Sequence, residues 1–330
     1  MQIQKYRFAV IISTMLFSLL AASSATAAQV ARCKLGVYVT SLHDVDTVKQ
    51  TFSADAWIWT VCPDKKVQPL QTAEFTTANS FTGMLDSTIA RPGLSWSQRK
   101  ISGTFRASFD LTNFPFERHK LIIGIEEGVQ DISTFEYELD ALNSGISSSI
   151  KVPQWNIDGF SAFSRRALYE TNFGDPLMAP RTKSEYSHID FVIDISRSER
   201  TSFFKLAVPA YAAVLLALFS LLMHIEDGGN LLNPRIGLLA GSLFAVVFNL
   251  RSVDDVVGST PATTALDLIH FSALALIIGT TLFSVLSSYF VEAGMPLRKI
   301  RKLDYGALIV SGAVFTLINI YVVHSAMKHA

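Results

Sequence analysis

From Leu206 onward, three stretches contain no Asp, Glu, Lys or Arg: 206–225, 268–291 and 305–327. A helix needs about 20 such residues to cross a bilayer, so each stretch is long enough to do so. Between the first two lies IGLLAGSLFAVVFNL, residues 236–250, bounded by Arg235 and Arg251. At about 1.5 Å per residue this gives only about 22 Å of uncharged helix, short for a lipid-facing span. Its Gly237, Ala240, Gly241 and Ser242 suit a helix surrounded by protein or water. The expectation is four spans, near 204–225, 234–253, 263–291 and 304–327, within a transmembrane domain of residues 204–330.

The other end of the chain reads differently. Residues 1–28 have Lys5 and Arg7, then the apolar FAVIISTMLFSLLAA, then the small residues Ala25 to Ala27. That order is a secretory signal peptide cleaved near Ala28, with a retained membrane anchor as the alternative. Residues 29–203 then lie outside the cytoplasm and form the N-terminal domain. They hold short runs of strand-forming residues, among them AWIWTV, KLIIGIEE, STFEYELD and HIDFVIDIS, separated by Gly, Pro, Asn, Asp and Ser. Such spacing indicates an all-β sandwich or barrel.

An exported chain can form disulfides, and Cys33 and Cys62 are placed for one. A hairpin turn centred between Thr47 and Val48 pairs Val37 with Ile58, Val39 with Ala56 and Cys33 with Cys62. Two buried free thiols are the alternative. With residues 29–205 outside, the linker VEAGMPLRKIRKLD faces the cytoplasm. Its Arg298, Lys299, Arg301 and Lys302 agree with the positive-inside rule. The chain has 28 basic and 28 acidic residues, a balance that argues against a nucleic-acid partner. There is no nucleophile elbow, phosphate loop, HExxH or Cys/His metal pattern. No enzyme activity, catalytic residue or cofactor is expected, and the metal question stays open.

A β-sandwich followed by four helices, the second of them short, resembles the pentameric ligand-gated ion channels of the Cys-loop receptor superfamily. The likeness is carried by several motifs. LTNFPFERHK, residues 111–120, places Phe114, Pro115, Phe116 and Glu117 where the family has Phe-Pro-Phe-Asp; Ala107 and Leu121 stand at its cysteine positions, as in prokaryotic members. Arg197 precedes Pro209 at the family's spacing, PRIG (Pro234 to Gly237) resembles the start of its pore helix, and TPATTALD (Thr260 to Asp267) the linker that follows.

What the resemblance implies is an immunoglobulin-like extracellular sandwich above a four-helix transmembrane bundle. Four further identical subunits complete a homopentamer in the inner (plasma) membrane, with the N-terminal domain in the periplasm or extracellular space. Its partners are the lipid bilayer, permeant inorganic ions, and a small extracellular ligand, protons or a metal ion that opens the pore. The coupling residues implied are Asp44, Asp46, Phe114, Pro115, Phe116, Glu117, Arg197 and Pro261. The phenylalanines press on the helix ends, and Arg197 joins the carboxylates in an ionic cluster. Arg197 and Arg200 snorkelling at the membrane surface is the alternative.

If Arg235 starts the pore helix, Gly237, Gly241, Phe244, Phe248 and Arg251 face the axis. Phe244 and Phe248 then form an apolar constriction that stops ions by dewetting. A one-residue shift presents Ile236, Ala240, Leu243, Val247 and Leu250 instead. Asp254 and Asp255 form an outer acidic ring favouring cations, opposed by Arg251 and Arg235. The ligand site implied comprises Phe173 and Tyr186 at the edges of a hairpin, facing Glu126, Glu127 and Asp131. No tryptophan stands among these acids, which suits a primary amine, a metal ion or protons. His43, His119, His188 and His270 are candidates for pH dependence. The competing reading is a membrane-anchored periplasmic sensor with no pore of its own.

Overall fold

The computed structural model describes residues 30–64, 66–176, 178–179, 181–223, 232–258 and 262–328. The signal peptide and Pro261 lie outside the described residues. Among the described residues ten strands come first: β1 Ala31–Asp46, β2 Thr51–Cys62, β3 Ala73–Phe75, β4 Ala78–Arg91, β5 Leu94–Arg106, β6 Arg118–Glu127, β7 Phe135–Leu139, β8 Gly145–Ile146, β9 Trp155–Tyr169 and β10 Ser184–Arg197. Four helices follow: α1 Glu199–Ser220, α2 Leu232–Val257, α3 Ala265–Glu292 and α4 Leu297–Lys328.

The strands form two sheets. One runs β4-β5-β2-β1-β7 with β8 on β1, and the other β3-β6-β10-β9. Alternation explains why they face each other. Along β2 every second residue is buried, from Phe52 through Ala54, Ala56 and Ile58 to Cys62, as a half-buried strand requires. Ile123, Ile125, Ile189, Phe191 and Ile193 of the second sheet meet these residues in one core.

The β1–β2 register is the expected one at the end away from the turn. Val37 pairs with Ile58 and Val39 with Ala56, and Cys33 is bonded to Cys62 with a Cα separation of 4.4 Å. Toward the turn the register slips, between Val39 and Ser41 and again between His43 and Asp46. Each slip inserts a bulge residue, so the turn covers Thr47 to Gln50 rather than centring between Thr47 and Val48. Strand β4 is not anticipated by the sequence pattern, because as an outer strand it is exposed along nearly all its length.

All four helices are long and apolar enough to span a membrane, so the chain is a multi-pass membrane protein. Two are longer than expected. Helix α2 runs through both flanking arginines for 26 residues, about 39 Å at the α-helical rise, and is not a short span. Helix α4 begins at Leu297 and includes the basic cluster. Arg235 is met by Asp304, and Arg251 and the basic cluster of α4 are exposed, so these charges do not end the helices.

The disulfide ties neighbouring strands at the end of the β domain far from the turn. Replacing both cysteines by alanine is expected to destabilise the domain by about 2–4 kcal/mol, read as a lowered thermal midpoint; an unchanged midpoint refutes this.

Candidate functional site

Two loops of the β domain meet the helices. In the turn after β1, Asp46 accepts hydrogen bonds from the backbone of Val48 (3.0 Å) and Lys49 (2.8 Å) and pairs with the Lys49 ammonium at 3.1 Å. The Lys49 amide and charge lower its pKa despite partial burial. The tied turn presents Val48 to Gly258, just past the end of α2. Gly258 has φ of +80°, and a Cβ there would stand 2.8 Å from a Val48 methyl, so both backbone and space require glycine.

The second loop, residues 107–117, contains a cis Phe114–Pro115 bond. Phe116 is buried with its ring 5.5 Å from Phe203 of α1. The Thr112 carbonyl accepts from the Ala265 amide at the start of α3, at 2.9 Å. Gln50 joins the two loops: its side chain accepts from the Phe109 amide at 2.9 Å and donates to the Thr47 carbonyl at 2.7 Å.

Arg197 lies behind the loop, at the end of β10. Its Nε donates to Glu117 at 2.5 Å and its Nη1 to Gln154 at 3.1 Å. Its guanidinium carbon is 4.3 Å from the Trp155 ring centroid and 4.9 Å from that of Phe114. Arg197 and Glu117 are both buried. Burial raises the Glu117 carboxyl above its usual range and Arg197 offsets only part of that. The second Glu117 oxygen has no partner in the described residues.

Phe114 therefore faces the arginine, and Phe116 meets α1. Asp44 and Asp46 are not among the partners found for Arg197. Asp46 is used by its own turn, and Asp44, largely exposed, lies 3.7 Å from His43. These aspartates and Arg197 instead line one cavity of about 650 Å³.

His119 also touches this cluster, edge-on to Phe109 at 4.9 Å and Trp155 at 5.5 Å. Burial, reinforced by the Arg197 charge and opposed by Asp110, lowers its pKa to about 4.

Helix α2 has two unlike faces. Arg235, Leu239, Ser242, Val246, Asn249 and Val253 are buried against the chain's own helices. Asn249 donates to the Leu206 carbonyl of α1 at 2.6 Å and lies 2.7 Å from His270 Nε2 of α3. Arg235 is fully buried and donates to Asp304 of α4 at 3.2 Å. The opposite face, Gly237, Gly241, Phe244, Phe248 and Arg251, is uncovered, with Phe244 and Phe248 77% and 79% exposed. In the shifted set, Ile236, Leu243 and Leu250 are partly covered. Ala240 and Val247 of that set are exposed.

At the far end of the β domain, Phe173 and Tyr186 stand with Tyr169 in one aromatic group, ring centroids 5.3 to 6.0 Å apart. The Tyr169 hydroxyl donates to Glu126 at 2.8 Å, and burial together with this bond pushes the phenol up to about 12. Glu126 also meets His188, at 2.8 Å from Nδ1. Burial opposes ionisation of neighbouring Asp190, yet bonds from Arg165 and His188 outweigh it and lower its pKa.

The other two acids of the expected ligand site do not join this group. Glu127 is fully buried and accepts from Thr72, Tyr137 and the amides of Val129 and Gln130. Asp131 accepts from Ser133 and Thr134 in its own turn. Val48, Gln50, Gln154, Trp155, Tyr169 and Gly258 carry contacts that sequence reasoning passed over, because each depends on a neighbour distant in the chain. Among the described residues no group of three or more His, Cys, Asp or Glu side chains is arranged to hold a metal ion.

No protein-family model and no curated protein matches this chain.

Removing one partner of a buried ion pair costs about 3–5 kcal/mol, whereas an apolar replacement of both costs far less. Arg197→Ala is therefore expected to destabilise strongly, and Arg197→Ala/Glu117→Leu to recover most of the loss in urea unfolding. Equal losses in the two variants refute the pair. His119 holds fewer protons folded than unfolded, so stability is flat above about pH 6.5 and falls as pH drops from there toward 4. The stability gap between wild type and His119→Phe should shift across that window in favour of the variant; parallel pH curves refute it.

Proposed function

We propose that the chain is a subunit of a homopentameric, ligand-gated ion channel, as the resemblance to the Cys-loop receptor superfamily implies. Five copies surround one aqueous path, each giving the uncovered face of α2 to its wall. The observation that carries this reading is that face. Five residues at alternating four- and three-residue steps, from Gly237 to Arg251, are left bare while the opposite face is packed. A membrane helix whose bare face combines two glycines, two phenylalanines and an arginine suits a water-filled lumen better than lipid, since arginine in hydrocarbon is costly.

The two loops then act as the joint between an immunoglobulin-like ligand-binding domain outside the membrane and the pore within it. A shift of the β domain reaches α2 through Val48 and Gly258, α1 through Phe116 and Phe203, and α3 through Thr112 and Ala265. Glu126 and the group Tyr169, Phe173 and Tyr186 form the agonist site, suited to a primary amine or to protons. Cations are the permeant class. The Arg235 charge is turned into the protein and paired with Asp304, so it adds no positive ring. Arg251, Asp254 and Asp255 are exposed near the other end of α2, and together carry one net negative charge per copy.

Purified protein in a planar bilayer, scanned with pH steps and primary amines, tests the reading. Single-channel steps are expected; a verified pentamer that stays silent under every condition favours the sensor without a pore. Phe244→Ala should widen the apolar constriction and raise the current without agonist, whereas Leu243→Ala should leave it near the wild-type level. The reverse order refutes the register.

A further inference from the structure

His188 of β10 stands between β6 and β9 with its side chain 1% exposed. Its Nδ1 is 2.8 Å from a Glu126 oxygen, and its Nε2 is 2.8 Å from an Asp190 oxygen. Both nitrogens can donate only when the ring is imidazolium. Yet Nε2 is also 3.0 Å from Nη2 of Arg165, and Arg165 has no lone pair to offer. Nε2 therefore has two mutually exclusive partners. Protonated, it donates to Asp190; neutral, it accepts from Arg165. Arg165 is held in position for that exchange by its own bond to Asp190, at 2.7 Å from Nε.

We propose that His188 is a proton-binding site that sets how firmly the Tyr169, Phe173 and Tyr186 group is held against the sheet. Charge counting gives the direction. The groups facing His188 are Glu126 of β6, Asp190 of its own strand and Arg165 of β9. Tyr169 of β9 follows through Glu126, and Glu74 of β3 is paired across from Glu126 in the ladder. With imidazolium, Glu126, Asp190, Arg165 and His188 are balanced. Loss of the proton leaves one uncompensated negative charge beside His188 and Glu126, whose side chains are 1% and 4% exposed. Buried carboxylates without a cation draw in water. Glu126 accepts the Tyr169 hydroxyl, so water drawn to the carboxylate competes with that bond and rising pH loosens the aromatic group. A Cβ at Gly124 would lie 2.5 Å from Thr76 Oγ1, 3.1 Å from His188 Nε2 and 3.2 Å from Asp190 Oδ1, so the glycine leaves room for all three side chains.

This deepens the agonist-site reading by making the proton a regulator of that site, but its test needs no current. Hydrogen exchange is measured on full-length protein in detergent between about pH 5 and 8, where histidines titrate, with intrinsic exchange rates divided out. Wild-type peptides covering residues 165–176 are expected to exchange several-fold faster at the alkaline end. His188→Gln should abolish the step. Asp190→Asn, which removes a carboxylate, should move it to lower pH. Arg165→Gln, which removes a cation and the replacement donor, should move it to higher pH. Absence of a step in wild type, or an unmoved step in all three variants, overturns the proposal. An intact step in protein that never conducts counts against the channel alone.

Discussion

The structure depends on a single buried cation at the boundary between its two halves. Arg197 ends the last strand, and two residues later the first helix begins. A guanidinium removed from water is tolerated only when its charge and donors are met. Glu117 supplies the counter-charge, Gln154 an acceptor, and Trp155 and Phe114 two ring faces. These partners come from separate segments of the β domain, so the cation fixes the loop around Pro115 relative to the strand that leads into the membrane. The loop in turn places Phe116 on α1 and Thr112 on α3.

The apolar core shows the same continuity. Residues of both sheets form one buried cluster with Ala207 of α1, Val253 and Val257 of α2, Leu266 and Ile269 of α3, and Val322 of α4. Interiors packed this way transmit displacement because they resist compression. The β domain and the helices therefore share one mechanical body at the seam, while the face of α2 that carries Phe244 and Phe248 stays uncovered.

Much of this was legible from residue pattern. Helices declare themselves when charge is missing for about 20 positions, and β2 declares itself by strict alternation. The Cys33–Cys62 register followed from counting residues. Legibility failed where a contact joins distant residues of unlike character. Glu126 and Glu127 look like one solvated acidic turn, yet the first meets a histidine 62 positions away and the second is enclosed by neutral donors. Asp44 and Asp46 read as equivalent partners for Arg197. The bulges in β1 instead leave Asp46 tied to its own turn and put Asp44, with φ of 50°, in the left-handed region. Arg235 and the basic start of α4 looked like helix boundaries because a lone charge in sequence carries no sign of its partner.

That last pairing bears on how the protein is made. Arg235 and Asp304 are 69 positions apart in the chain, and synthesis delivers the arginine first. Until the final helix emerges, Arg235 lacks the carboxylate that meets it in the folded chain. The second helix therefore reaches its final packing, with Arg235 met inside the protein, only once the last helix is in place.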